Sequence, residues 1–248
     1  MNATSPPPWQ AWLADRHADL EMPRAWRGVE TQYLAASLAL VDTADEQALL
    51  EELLEGSKPA LPPEAAGKPY LLATPFRYLP AHDSRFRRAA SGLGGVWYGA
   101  ATLAAACAEV AWWRMRFVAD SAGLSEAGAR AVTSEHTFFH ARIRGRAIDL
   151  TSPPWVACAA QWTHPSDYTH THALAEAVRT RHAEIDWIRY ESARSPGTAC
   201  AAVFNPAALH GTGQALRASY QRWLCKATRS TASMISLDER GRAFEWAG

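Results

Sequence analysis

Residues 95–118 read GVWYGAATLAAACAEVAWWRMRFV, and this stretch decides the fold class. Its first five residues are three apolar residues between two glycines, which predicts a short buried strand. The Thr102 hydroxyl suits a helix N-cap, and the alanine-rich run that follows predicts a helix to about Val118. The stretch therefore predicts a strand that passes directly into a buried helix.

Glu109 is a single carboxylate on a helix face that otherwise consists of alanine, cysteine, valine and tryptophan. Burying a carboxylate costs free energy unless it is paired, so such a group has either a partner or a function. The structural alternative is an ion pair with Arg77, Arg85 or Arg114. We favour a function, because the helix follows directly on the glycine-rich strand.

Further elements follow outward from this unit, and their irregular order predicts an α+β fold, a mixed β-sheet with flanking helices. A helix is predicted over residues 173–182. Residues 137–143 and 147–151 predict a hairpin around Arg144-Gly-Arg146. The other predicted strands span residues 185–192, 200–205, 233–237 and 242–246, the last two around a turn at 238–241.

The N-terminal 63 residues predict a helical extension before a main domain of residues 64–248. Residues 1–12 are proline-rich and expected to be loose, whereas the pattern over 28–56 is helical, with a helix at 31–41 packed on the next. Thr43 and Glu46 fit a capping box, and residues 58–63 form a linker. The extension is either a structural brace, which we favour slightly, or a cover for the main domain or a dimer interface.

Composition excludes several classes of protein. Lys+Arg and Asp+Glu both number 25, so the basic surface of a nucleic-acid-binding protein is not expected. No apolar run is long enough for a membrane span and no signal peptide is seen, which predicts a cytoplasmic protein with reduced cysteines. His164, His170, His172 and Asp167 lack the spacing of a metal site, and no metal is predicted.

Two arginine motifs precede the strand. Arg77 lies between Phe76 and Tyr78 after a Thr-Pro turn, and residues 84–88 read SRFRR. Each motif alone is typical of a solvated surface. A planar guanidinium is also suited to bidentate contacts with phosphate, and the second motif runs into a glycine-rich loop.

Two later motifs are weak alone. Residues 190–194 read YESAR and residues 204–206 read FNP. The end of a strand with small and polar residues is a common place for ligand contacts, although an ordinary turn explains either motif.

In this order, the motifs from residue 70 to 206 resemble the RES domain family, named for its Arg, Glu and Ser. The resemblance implies a fold similar to ADP-ribosyltransferase toxins and an active site of Arg77, Arg85, Tyr98, Glu109 and Ser192. Arg87, Tyr78 and Asn205 are further NAD⁺-binding candidates in the matching motifs. This chain lacks the usual two glycines before its second arginine, which leaves Arg85, Arg87 and Arg88 as alternatives for the binding arginine.

The resemblance also implies a function, an NAD⁺-degrading toxin of a bacterial toxin–antitoxin pair. NAD⁺ would be the substrate, phosphate a co-substrate, and no bound cofactor is expected. The expected partner is an antitoxin with a helix-turn-helix domain, without direct nucleic-acid or membrane contact, and a homodimer stays open. The alternatives are an ADP-ribosyltransferase acting on a protein, or a non-catalytic interaction module.

Overall fold

Helices and strands follow one another irregularly, and the predicted α+β class is confirmed. The structure, a computed structural model, describes residues 7–31, 41–79, 81–126 and 130–247. The helices are α1 (Trp9–Trp12), α2 (Ala44–Gly56), α3 (Tyr70–Arg77), α4 (Leu103–Asp120), α5 (Ala122–Glu126), α6 (Ala159–Trp162), α7 (Thr169–Arg181) and α8 (Gly213–Ala218). The strands are β1 (Ala18–Glu30), β2 (Trp97–Ala100), β3 (Val132–Asp149), β4 (Trp187–Glu191), β5 (Ala199–Val203), β6 (Leu209–His210), β7 (Gln221–Ala227), β8 (Thr231–Ser236) and β9 (Ala243–Ala247).

The described strands form one mixed sheet in the order β1-β2-β5-β4-β3-β7-β8-β9, with β6 paired to β3. Only β3 and β4 run parallel among these pairs. Strand β1 pairs with β2 on one side and with β3 on the other, so that β1, β2, β5, β4 and β3 form a closed cycle of pairings. Strand β2, the strand of the unit predicted from residues 95–118, is one member of this cycle.

The hairpin predicted around Arg144-Gly-Arg146 is wrong, because these residues lie inside the single long strand β3. Gly145 stays in register with Leu20 of β1, so the strand pairing continues through it. A Cβ at Gly145 would lie 2.4 Å from an oxygen of the Asp186 carboxylate, which explains why a glycine stands there. A glycine between two arginines therefore marks a close approach rather than a turn.

The N-terminal region differs from its prediction at two points. Residues 28–30 are not helical but end β1, and the expected loose segment contains α1, whose Trp9 is 1% exposed. The capping box of Thr43 and Glu46 at the start of α2 is confirmed. The helix predicted over 31–41 falls almost entirely outside the described residues. A division of the chain at residue 63 stays a prediction, and β1 belongs to the sheet although it lies before that point.

Two apolar clusters cover the two sides of β2, because side chains alternate along a strand. Trp97 packs with Leu72 and Phe76 of α3, whereas Tyr98 packs against the cluster that contains Ala105 and Ala106 of α4. Thr102 accepts a hydrogen bond from the Ala105 amide and caps α4 as predicted. Tyr98 and Glu109 are thereby brought to the same side of the sheet.

Candidate active site

A cavity of about 450 Å³ lies between β1, β2 and α4. Glu109, Arg85 and Tyr98, three of the residues predicted from the sequence, line it together. Aromatic side chains make up much of the remaining wall; they are Trp26, Trp112, Trp113, Phe117, Tyr168 and Tyr190. Flat apolar walls with a few charged groups suit a ligand that contains aromatic rings and phosphates.

Ser192 fixes the orientation of the Glu109 carboxylate. The Ser192 hydroxyl donates to Glu109 Oε1 at 2.8 Å and accepts from the backbone amides of Arg194 and Ser195, each at 3.1 Å. Ser192 itself is 1% exposed, so its hydroxyl has no competing water contact on the surface. The carboxylate is therefore held by a neutral donor and not by a cation.

The predicted structural alternative for Glu109, an ion pair, is not found among the described residues. Arg77 pairs with Glu55 and Arg114 pairs with Glu30. Arg85 lines the same cavity as Glu109 but forms no salt bridge with it. The charge of Glu109 is thus available to a ligand in the cavity.

Arg85 is 8% exposed and is held by backbone oxygens. Its Nη1 donates to the carbonyls of Trp162 at 2.7 Å and His164 at 2.9 Å, and its guanidinium lies 5.0 Å from the ring centroid of Tyr168. Every hydrogen bond of Arg85 within the described ranges leaves from Nη1. The other guanidinium nitrogens therefore remain for a ligand, and the geometry needed for a bidentate contact is fixed in advance.

Tyr98 anchors the turn that carries Arg85. Its hydroxyl accepts from the Phe86 amide at 3.0 Å and lies 2.9 Å from the Ser84 hydroxyl, while Nε2 of His172 lies 2.8 Å from the Ser84 carbonyl. Burial raises the pKa of Tyr98, so its phenol stays neutral in the physiological range. Tyr98 therefore has a positioning role besides its predicted contact with the ligand.

A larger cavity of about 1010 Å³ adjoins the first and is lined by Tyr78 and Arg87, both predicted NAD⁺ contacts. The two cavities share five lining residues, which are Arg27, Glu30, Ser84, Tyr98 and Trp113. Glu109 lies in the smaller cavity alone. We therefore take the smaller cavity as the candidate active site, because it contains the carboxylate that the larger cavity lacks.

Two predicted site residues lie elsewhere. Arg77 is the last residue of α3, and Pro75 lies inside this helix rather than in the predicted turn. The Arg77 guanidinium donates to Glu55 at 2.5 Å and to the Pro59 carbonyl. Asn205 donates to Asp186 at 2.7 Å and accepts from the Ala207 amide. Neither residue lines the cavity of Glu109, and the geometry gives their predicted roles no support.

The structure also separates the three arginines of the second motif. Arg85 lines the smaller cavity and Arg87 the larger one, whereas Arg88 has a 46% exposed side chain and lies 3.8 Å from Glu176. Arg88 therefore faces away from both cavities.

Sequence reasoning missed Arg27 and Trp112. Arg27 lies on β1, donates to the Tyr98 carbonyl at 3.1 Å and lines both cavities. The Arg194 guanidinium lies 3.7 Å from the ring centroid of Trp112, next to the Ser192 that holds Glu109. No local pattern marks a single arginine on a strand, and the tryptophan–arginine contact joins residues 82 positions apart.

Two of the candidate metal residues, His164 and Asp167, take part in hydrogen bonds within their own loop. His164 Nδ1 accepts from the Asp167 amide at 2.7 Å, and Asp167 accepts from the Thr169 amide at 2.9 Å. Among the described residues, no group of three or more His, Cys, Asp or Glu is placed to hold a metal. All four cysteines are free, and burial raises the pKa of Cys200, which lines the smaller cavity, to about 12.

The comparison with known families agrees with the motif order. The RES domain model matches residues 61–223, about two thirds of the chain, and the chain belongs to the RES domain family. The members of this family are toxin-like proteins whose function is related to NAD. No curated protein matches the chain. In the described part of the chain, no helix is long and apolar enough to cross a membrane.

Proposed function

We propose that this protein cleaves the nicotinamide N-glycosidic bond of NAD⁺. The observation that carries the proposal is Glu109, whose carboxylate is oriented by Ser192 and faces an aromatic cavity that also contains Arg85 and Tyr98. Family membership supports the same substrate class.

The charge changes of the reaction explain why a carboxylate belongs at this point. When the bond between ribose C1′ and the nicotinamide nitrogen breaks, its electron pair leaves with nicotinamide, which departs as a neutral molecule. Positive charge then develops on the ribose, as in glycoside hydrolysis. Glu109 stabilises that charge or fixes a ribose hydroxyl, and no general acid is needed.

Arginines next to the carboxylate favour phosphate as the acceptor. Arg85 and Arg87 hold the pyrophosphate or the incoming phosphate by charge-assisted hydrogen bonds, while Tyr98 and Tyr78 contact the rings or the riboses. A phosphate oxygen bonds to C1′ and the phosphate proton passes to solvent, which gives ADP-ribose phosphorylated at C1′. With water as the acceptor the product is ADP-ribose.

The wider role follows from the family rather than from the site. We propose a toxin of a bacterial toxin–antitoxin pair that acts in the cytoplasm without a bound cofactor and is inhibited by a helix-turn-helix antitoxin. A neighbouring small gene for such a protein, whose co-expression restores growth, is the expected finding. Equal growth with and without induction of this chain alone would contradict the toxin role.

The proposal is tested by mass spectrometry of NAD⁺ incubated with the purified protein, with and without inorganic phosphate. Nicotinamide together with phosphorylated ADP-ribose is the expected result. Free ADP-ribose at both conditions would make the enzyme a hydrolase, and ADP-ribose attached to an added protein would make it a transferase. Unchanged NAD⁺ under every condition would refute the proposal.

A further inference from the structure

Three arginines lie around Tyr98 without an acidic partner. Arg27 comes from β1, Arg87 from the turn after Phe86, and Arg179 from α7. Within the described ranges, none of the three belongs to any salt bridge. Buried or half-buried arginines are normally paired, so this cluster departs from the usual pattern.

Mutual repulsion and burial act on this cluster together. Burial is the main cause that lowers the pKa of Arg27 to about 10; Tyr98 acts in the opposite direction, and the like charge of Arg87 contributes to the lowering. Burial is also the main cause that lowers the pKa of Arg179, again with Arg87 as a like charge. Arg87 therefore lies close enough to the other two for their charges to repel, and an anion at this point would relieve that repulsion.

The hydrogen bonds of Arg27 and Arg87 leave most of their donors unused. Within the part of the chain that the structure describes, Arg27 donates only through Nη1, to the Tyr98 carbonyl at 3.1 Å, and Arg87 donates only through Nη2, to the His82 carbonyl at 3.3 Å. The Nε atoms of both are buried and have no hydrogen-bond partner among the described residues. Each guanidinium group thus has one hydrogen bond within the described ranges, to a backbone oxygen, and that of Arg27 also lies 5.6 Å from the ring centroid of Trp97.

Both arginines face empty space. Arg27 lines the larger and the smaller cavity, and Arg87 lines the larger one beside Ser84 and Tyr98. Arg179 instead stacks at 5.4 Å on Phe204 and lines a separate cavity, so it contributes charge and no ligand contact.

We infer that Arg27 and Arg87 form a phosphoryl-binding subsite at the junction of the two cavities. Two planar guanidinium groups suit the several oxygens of a phosphate or pyrophosphate better than a single carboxylate. In so far as the anion is the pyrophosphate of NAD⁺, the inference rests on the proposed function. Arg27 lies outside the region that the family model matches, whereas Arg87 lies inside it.

The subsite would divide the ligand between the cavities. Bound at the junction, a pyrophosphate places one nucleoside beside Glu109 and the other in the larger cavity, next to Tyr78 and Tyr220. A free phosphate at the same place would instead be the acceptor of the reaction. Both ligands present the same chemistry to the two arginines, and binding measurements can separate them.

The test is isothermal titration calorimetry at fixed ionic strength with two probes, ADP-ribose and inorganic phosphate. Arg27→Gln and Arg87→Gln are each expected to raise the Kd of at least one probe roughly 10-fold or more, the loss typical of a hydrogen bond to a charged group. Arg88→Gln, which removes an exposed arginine of the same motif, is the matched control and is expected to change Kd by less than about 2-fold.

The pattern of losses identifies the ligand. Weaker binding of ADP-ribose alone supports the pyrophosphate, weaker binding of phosphate alone supports the acceptor, and weaker binding of both supports a subsite that takes either. Unchanged affinity for both probes in Arg27→Gln and Arg87→Gln would overturn the inference, as would an equal loss in Arg88→Gln.

If Arg27→Gln or Arg87→Gln fails to fold, the titration uses Arg27→Lys or Arg87→Lys in its place. Lysine keeps the charge without the planar fork, so roughly 3-fold weaker binding is expected, and wild-type affinity for both probes would again overturn the inference. Neither probe is cleaved during the titration. A protein that binds them but leaves NAD⁺ intact would therefore refute the proposed function and not this subsite.

Discussion

Ser192 has a hydroxyl whose three hydrogen-bonding directions are all used. Two backbone amides occupy its lone pairs, so its single proton must point to Glu109. Among the described residues, no other side chain donates to this carboxylate. The second carboxylate oxygen therefore remains for a ligand, in an orientation that Ser192 determines.

Ser192→Ala is expected to lower kcat about 10- to 100-fold with little change in KM, because the charge of Glu109 stays while its orientation is lost. Steady-state nicotinamide release measures both constants. Ser192→Thr, which keeps a hydroxyl, should recover part of kcat. Ser195→Ala removes a neighbouring hydroxyl that contacts Thr198 and serves as the control. Equal losses in both alanine variants would contradict the positioning role.

His136 makes stability depend on pH. Burial, followed by the charge of Arg114, lowers its pKa to about 4, although Glu30 acts in the opposite direction. Between this value and the usual value near 6.5, the unfolded chain binds more protons than the folded one. The contribution of His136 to the free energy of unfolding is therefore fully present above about pH 6.5. It decreases as the pH falls towards 4, by about 3 kcal/mol at most.

The His136→Gln variant is expected to show a flatter decrease of the free energy of unfolding between pH 6.5 and 4, measured by urea denaturation. His210 is exposed on β6, so His210→Gln should leave the wild-type dependence unchanged. Parallel curves for the wild type and His136→Gln would show that this histidine is not responsible.

At this scale the sequence predicted Glu109, Arg85, Tyr98 and Ser192 as a group, and the structure brings them together. It did not predict Arg27, because the contact with Tyr98 depends on the pairing of Trp26 with Ala100 across two strands. Nor could it show that Arg77 is bonded to Glu55 of α2, since that contact joins two helices separated by a linker.

Strand β2 and helix α3 approach each other more closely than side chains allow. A Cβ at Gly95, just before β2, would lie 1.5 Å from the Pro75 carbonyl oxygen. The neighbour is backbone, so it cannot move aside as a flexible side chain could. The close approach of this segment to α3 therefore requires a glycine at position 95.

Gly95→Ala is expected to lower the free energy of unfolding by about 2–3 kcal/mol or more, because α3 and β2 must separate. Thermal or urea denaturation measures the change. Gly123 in α5 has no atom within 4 Å of an added Cβ, so Gly123→Ala should be neutral or stabilising. A Gly95→Ala protein as stable as the wild type would contradict the close packing.

Among the elements, the sequence predicted those with strong local signals. Helices α4 and α7 and the hairpin of β8 and β9 were found because caps, alanine content and a polar turn mark them. Residues 28–30, the end of β1, were predicted to be helical, and no strand was predicted for the rest of β1, whose pairing with β3 contains a bulge between Met22 and Ala25. Tertiary pairing decides such a segment.

At the scale of the whole molecule, β1 closes the cycle of strands around the site. Its residues pair with β3 over most of its length and with β2 at Trp26. Removing β1 would expose the edges of β2 and β3 and leave apolar side chains such as Phe139 uncovered. The strands within residues 61–223, the region that the family model matches, therefore do not complete this cycle without β1.

A fragment of residues 64–248, the main domain predicted from the sequence, is expected not to fold on its own. Circular dichroism and the cooperativity of thermal unfolding compare it with the full chain. Adding residues 1–63 as a separate peptide tests whether β1 can restore the fold. A fragment that unfolds cooperatively and releases nicotinamide at the full rate would show that the division at residue 63 separates independent units.

The most direct test of the account is the initial rate of nicotinamide release from saturating NAD⁺ by the wild type, Glu109→Gln and Glu52→Gln. Glu52 is exposed on α2, away from both cavities, and controls for loss of a carboxylate as such. We expect a folded Glu109→Gln protein whose rate is at least about 100-fold lower, with Glu52→Gln at the wild-type rate. Wild-type release by Glu109→Gln would contradict the central role of this carboxylate.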